Sequence, residues 1–230
     1  MQKIDGHKRI NDILLGPLER PALAWLAARM PQWVTPDLLT MIGLFASLLI
    51  FISYWLTQKS SAFLWLASFG FVLNWFGDSL DGTLARYRKI ERPKYGFFVD
   101  HVIDAIDEVM VFLGLGMSPY VTFTVANLAL VGYLLVSIQV YISTAVHSVF
   151  KISYGKLGPT EIRLIAILAN TIIFFLGRPQ VNLPYLGQVA LYDVIVGIVG
   201  IILVYIFISS SIVQMRTLAK LDTTPDSKAK

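Results

Sequence analysis

Apolar residues gather along this chain into runs too long for a soluble domain, with polar residues marking the breaks. Six windows, residues 38–57, 62–85, 97–117, 121–147, 161–177 and 189–213, are nearly continuous in apolar character. A lipid-spanning helix needs about 20 mostly apolar residues, so each window predicts one span. The connections 57–61 and 117–121 are short, which makes the helices they join antiparallel neighbours. Thr35-Pro36-Asp37 has the composition of a helix start, with proline in the first turn and an acidic residue near the positive end of the helix dipole. The pattern predicts an all-α, polytopic membrane protein whose residues 34–215 form a six-transmembrane-helix bundle.

Residues 1–33 read differently. Ile10, Ile13 and Leu14, then Leu18, Ala22, Trp25 and Leu26, recur at helical spacing beside Lys8, Arg9, Glu19, Arg20 and Arg29, and Gly16-Pro17 breaks the run. Such a segment is too polar to span. It predicts an amphipathic helix along the cytoplasmic interface, with its apolar stripe in the acyl boundary. Residues 216–230 read as a cytoplasmic tail, disordered from Asp222 onward.

The charges set the orientation. Of the 19 Lys and Arg residues, only Lys59 and Arg178 fall on one side of the predicted spans. The positive-inside rule therefore places both termini and the basic loops in the cytoplasm, and an even number of spans agrees. No positively charged start running into an apolar core and cleavage site is seen, so the first span is expected to direct insertion. The net charge of +4 sits mostly in loops facing anionic lipid and carries no nucleic-acid signature. The chain has no cysteine, which excludes disulfides and thiolate metal sites.

Two pairs of aspartates interrupt the apolar runs either side of a basic loop: Asp78 and Asp81, then Asp100 and Asp104. An unpaired charge at the centre of a bilayer costs on the order of 3 kcal/mol or more, so four carboxylates there demand cations or chemistry. Positions 78, 81, 82 and 85 share one helix face, and 96, 100 and 104 form a second stripe. The nine-residue connection 87–95 is short enough to predict that the two helices pack side by side. Hard oxygen donors at this density suit Mg²⁺, Mn²⁺ or Ca²⁺ and disfavour zinc. Gly82, Ala85 and Gly96 either permit close helix packing or let a bulky anionic ligand such as a pyrophosphate reach the backbone.

The run from Asp78 to Arg86, Asp-x-x-Asp-Gly-x-x-Ala-Arg, followed by Gly-x-x-x-Asp-x-x-x-Asp from Gly96 to Asp104, resembles the signature of the CDP-alcohol phosphotransferases. All eight signature residues are present; the gap of nine residues is about one longer than in the family's pattern. The segment Thr35 to Thr40 also resembles that family's start of the first helix, with Asp37 where asparagine is usual. The resemblance implies transfer of a substituted phosphate from a CDP-alcohol to a hydroxyl acceptor, with release of CMP, in a homodimer. It implies two divalent cations, Mg²⁺ or Mn²⁺, at Asp78, Asp81 and Asp100, with Asp104 close to the metals and acting as general base. Thr40, Gly82, Ala85, Arg86 and Gly96 would line the nucleotide or substrate site, Arg86 by contacting phosphate or by clamping an aspartate. At least one of donor and acceptor would be a lipid.

Four further residues, His101, Asp107, Glu108 and Arg163, are candidates for an acceptor pocket. Asp107 and Glu108 continue the acidic stripe; they either favour a cationic head group or form hydrogen-bonded pairs between helices. His101 after the third aspartate, with Gly158-Pro159-Thr160-Glu161, is similar to the CDP-choline and CDP-ethanolamine branch. Lys151, Lys156 and Arg163 would meet either an acceptor phosphate or lipid phosphates. Two other classes use comparable residues. An intramembrane prenyltransferase binds metal diphosphates through paired aspartates, but its acidic motifs lie far apart, whereas here the pairs are close. An ion or metal transporter would show broken helices and paired repeats, and the sequence has neither.

Overall fold

The computed structural model describes residues 14–147, 158–184 and 187–222. Seven helices lie within them: α1 (Gly16–Arg29), α2 (Pro36–Leu56), α3 (Phe63–Arg88), α4 (Pro93–Met117), α5 (Phe123–His147), α6 (Pro159–Leu176) and α7 (Leu191–Asp222). Each predicted window coincides with one of α2 to α7. Between α6 and α7 a short antiparallel hairpin joins β1 (Gln180–Leu183) to β2 (Gly187–Ala190), with Gln180 opposite Ala190. No strand is anticipated there, because four residues are too few to establish an alternating pattern.

Among the described residues, four helices are both long and apolar enough to cross a membrane: Pro36–Leu56, Phe123–Thr144, Pro159–Leu176 and Leu191–Lys220. α3 and α4 are longer than three of these but carry Asp78, Asp81, Arg86 and Arg88, and Lys94, Asp100, Asp104, Asp107 and Glu108. α7 runs on to Asp222, into the residues expected as the cytoplasmic tail; residues 223–230 lie outside the described residues.

Residues 1–13 lie outside the described residues, and α1 begins where Gly16-Pro17 was expected to break a helix, because proline is well accommodated in a first turn. Leu23 and Ala27 are buried against Leu39, Leu80 and Leu84. Leu18, Ala22 and Trp25 of the predicted stripe point outward. Apolar residues therefore occupy two opposite faces of α1, one packed on the bundle and one turned away from it.

α2 is the common support of the site. Thr35 caps it by accepting a hydrogen bond from the Leu38 amide at 3.2 Å. It packs along both α3 and α4; α3 also takes α1 and α6, while α4 packs on α5 and α5 on α7. Close approach of α2 and α3 depends on glycine: a Cβ on Gly77 would fall 2.5 Å from the Gly43 nitrogen and 2.5 Å from the Leu39 carbonyl oxygen. Gly114 sets α4 against α2 in the same way, since a Cβ there would fall 2.8 Å from the Phe51 Cα.

α3 and α4 meet through side chains, Asn74 donating to Asp107 at 2.8 Å, while their backbones approach each other less closely than either approaches α2. Their facing sides carry like charges, which oppose close approach, and each is anchored to α2 instead. α3 ends with Lys89 in the left-handed conformation (φ 58). The Lys89 amide donates to the Arg86 carbonyl at 3.1 Å and the Ile90 amide to the Ala85 carbonyl at 3.0 Å, a Schellman arrangement. Arg88 donates to the carbonyls of Met30 and Pro31 at 3.0 and 2.8 Å, and Arg92 pairs with Asp37 at the start of α2. These ties gather the ends of α1, α2, α3 and α4 around one rim.

Gly77→Ala should lower the thermal unfolding midpoint in detergent, since overpacking a seam costs about 1–3 kcal/mol. Gly82→Ala, whose Cβ would meet only the Arg86 side chain, at 3.3 Å, should leave the midpoint unchanged. Equal midpoints for both variants would contradict the packing described.

Candidate active site

Near that rim, one carboxylate oxygen each of Asp78, Asp100 and Asp104 lie within 4.8 Å of one another. Helical periodicity accounts for the convergence. Asp100 and Asp104 are one turn apart on α4, and Asp78 faces them from α3. The Asp100 side chain is 39% exposed and that of Asp78 21%, so the cluster can be reached from outside the bundle. Three oxygen donors of this kind suit a hard divalent cation.

Asp81, the fourth predicted ligand, is not in that group. One of its oxygens accepts a hydrogen bond from the Thr40 hydroxyl at 2.6 Å, and the other accepts from the Gly82 amide. Thr40, on α2, thus orients Asp81, a role that the sequence pattern alone does not assign. Gly82 and Gly96 do not serve helix packing: a Cβ on Gly96 would meet nothing within 4 Å, and one on Gly82 only the Arg86 guanidinium. Ala85 lies one turn after Asp81 on α3 and is partly buried. Arg86 is exposed and donates to the Thr83 hydroxyl at 3.1 Å.

Arg163 reaches this cluster from α6. Its Nη2 donates to Asp78 at 2.6 Å and its Nε to the side-chain oxygen of Asn74 at 2.7 Å. Arg163 thus clamps an aspartate of the cluster. Asn74 in turn donates to Asp107 at 2.8 Å, and Ser137 of α5 donates to Glu108 at 3.2 Å. Both acidic residues are thus bonded to a neighbouring helix. His101 lies between Phe97 and Tyr141, with ring centroids at 4.1 and 4.6 Å, and its Nδ1 is 2.7 Å from the Phe97 carbonyl oxygen. Of the four candidates for an acceptor pocket, Asp107 and Arg163 meet at Asn74, while His101 and Glu108 face α5. Lys151 and Lys156 lie outside the described residues.

The start of α6 is held by Glu161, which accepts from the amides of Gly158 at 2.8 Å and Leu15 at 2.7 Å. Glu19 of α1 accepts from the Thr160 hydroxyl and the Trp75 indole at 2.7 and 2.8 Å. Between α3 and α6 runs a groove of about 160 Å³ lined by Phe71, Val72, Trp75, Leu164, Ile167 and Arg163. It connects an apolar surface with the arginine that holds Asp78.

Comparison with known proteins covers this whole region. The family described as CDP-alcohol phosphatidyltransferase matches residues 33–206, a span that includes every candidate residue from Thr40 to Arg163. Cholinephosphotransferase 1 of Gallus gallus is 28% identical over 176 residues, which are 71% of this chain and 50% of that protein. Archaetidylinositol phosphate synthase of Pyrococcus horikoshii is 33% identical over 104 residues, 45% of this chain and 52% of that protein. The chain spans about half the length of the curated relatives it matches. With an acidic cluster on a mostly apolar helical bundle and a family match over most of its length, the chain is an integral membrane protein that belongs to the CDP-alcohol phosphatidyltransferase family.

Proposed function

We propose that this protein transfers a substituted phosphate from a CDP-alcohol to a hydroxyl acceptor, releasing CMP, in phospholipid biosynthesis. The observation that carries this reading is the convergence of Asp78, Asp100 and Asp104 beside backbone left open at Gly82 and Gly96. In the reaction the acceptor oxygen attacks the phosphorus that bears the alcohol, and the bond from that phosphorus to the bridging oxygen breaks. CMP departs with that oxygen.

Asp78, Asp81, Asp100 and Asp104 would hold two divalent cations, Mg²⁺ or Mn²⁺, which when bound neutralise charge on the diphosphate and the departing CMP. The residues of the chain do the rest. Gly82, Ala85 and Gly96 leave the backbone accessible to the nucleotide, and Arg86 at the rim offers a cation to its phosphates. The Thr40 hydroxyl fixes Asp81. Asp104 takes the proton from the acceptor hydroxyl, a contribution typically of 10²–10⁴-fold for a positioned base.

At least one of the two substrates is a lipid, a reading supported by the apolar groove between α3 and α6. Helices α2 to α7 form six spans, with Asp78 of α3 turned toward Asp100 and Asp104 of α4. The distribution of Lys and Arg supports cytoplasmic termini and a cytoplasmic active site. α1 lies at the interface with Leu18 and Trp25 toward lipid, and the protein works as a homodimer.

Purified protein supplied with Mg²⁺ or Mn²⁺ should form CMP from a CDP-linked donor, and chelation should stop it; mass spectrometry of products from a donor-and-acceptor panel would identify both substrates. Nucleotide-independent ion flux in liposomes, without CMP formation, would contradict the reading. Asp104→Asn should reduce kcat by about 10²–10⁴-fold, and activity that survives both this change and Asp81→Asn would rule the assignment out. Thr40→Val should weaken the metal dependence by about tenfold or more, since outer partners of ligands typically contribute that much; an unaltered Mg²⁺ titration would remove Thr40 from the site.

A further inference from the structure

Asn74 lies on α3 one turn before Asp78 and is 4% exposed. Its amide is engaged at both ends. The nitrogen donates to Asp107 at 2.8 Å, to the Ser47 hydroxyl at 3.0 Å and to the Gly43 carbonyl at 3.1 Å. The oxygen accepts from Arg163 Nε at 2.7 Å. A guanidinium only donates and an ionised carboxylate only accepts, so a single orientation of the amide serves both. The flipped amide would set oxygen against carboxylate and N–H against N–H.

The same guanidinium reaches Asp78 through Nη2 at 2.6 Å. Two different groups are thus bridged by one rigid planar fork, which a lysine ammonium cannot reproduce. Asn74 also stands between Arg163 and Asp107. Without the amide, the cation is free to pair with Asp107 and to abandon Asp78.

We propose that Asn74 and Arg163 are positioning residues for Asp78: the amide aims the guanidinium, and the guanidinium holds the carboxylate turned toward Asp100 and Asp104. The inference rests on reading those three aspartates as a metal site, and it gives Arg163 a role other than contact with the acceptor. Outer partners of metal ligands typically contribute 10–100-fold in metal affinity. Asn74 acts at one further remove, through Arg163.

The test is Mn²⁺ titration, followed by electron paramagnetic resonance, of purified wild type, Asn74→Ala, Arg163→Lys and Asp100→Asn, each with its thermal unfolding midpoint. Mn²⁺ is added alone, so an arginine that served only the acceptor would leave binding untouched. Asn74→Ala and Arg163→Lys should each bind Mn²⁺ about 10–100-fold more weakly while folded. Wild-type affinity in the folded variants would overturn the proposal. If Asn74→Ala does not fold, Arg163→Lys, which keeps the charge, decides alone. A wild type that binds no Mn²⁺, or an Asp100→Asn that binds as wild type does, overturns the metal-site reading itself, a failure distinct from variants that match a binding wild type.

Discussion

Charge buried within a bundle of lipid-spanning helices has to be compensated locally, and here the compensation begins with the ion pair of Asp78 and Arg163. It joins α3 to α6 across the site and offsets part of the charge that Asp78, Asp100 and Asp104 bring together. A buried pair of this kind is weak evidence for stability, because the desolvation of both partners offsets their attraction. Its value lies in geometry. The planar guanidinium bonds Asp78 and Asn74 through separate nitrogens, and Asn74 leaves it one arrangement to adopt.

The backbone serves the same end by keeping two helices apart. Gly77 and Gly114 let α3 and α4 press against α2, yet α3 and α4 do not close on each other. The small residues of this chain divide accordingly into two kinds. Some sit where a methyl group would strike backbone, as Gly77 does; others, as Gly96, face open space. Only the second kind leaves room for a ligand, and Gly96 is the one of them that stands beside the aspartates.

Much of this was legible in the sequence. Six apolar windows predict α2 to α7 because length and apolar character are enough to specify a helix in lipid. The stripes of Asp78 with Asp81 and Asp100 with Asp104 follow from helical spacing. What periodicity does not carry is which helices touch. A short connection between α3 and α4 says that they are near, but the glycine contacts that attach each to α2 depend on residues far away in sequence. That α1 also packs through Leu23 and Ala27 was not legible for the same reason, since Leu18 and Leu23 are equally apolar and only the position of Leu80 and Leu84 distinguishes them. Asn74 was visible as an amide inside an apolar run, one turn before Asp78; its partner Arg163 comes from a helix 85 residues beyond that aspartate. Thr40 shows the same limit, because its bond to Asp81 crosses 41 residues.

The account centres on cations held between α3 and α4 by carboxylates that the bundle has gathered. Anomalous diffraction from crystals of the protein soaked with Mn²⁺ and a CDP-linked donor addresses it most directly. The account expects Mn²⁺ peaks in contact with Asp78, Asp81, Asp100 and Asp104, beside the diphosphate of the donor. Peaks confined to other acidic residues, or a nucleotide bound away from these four side chains, would contradict it.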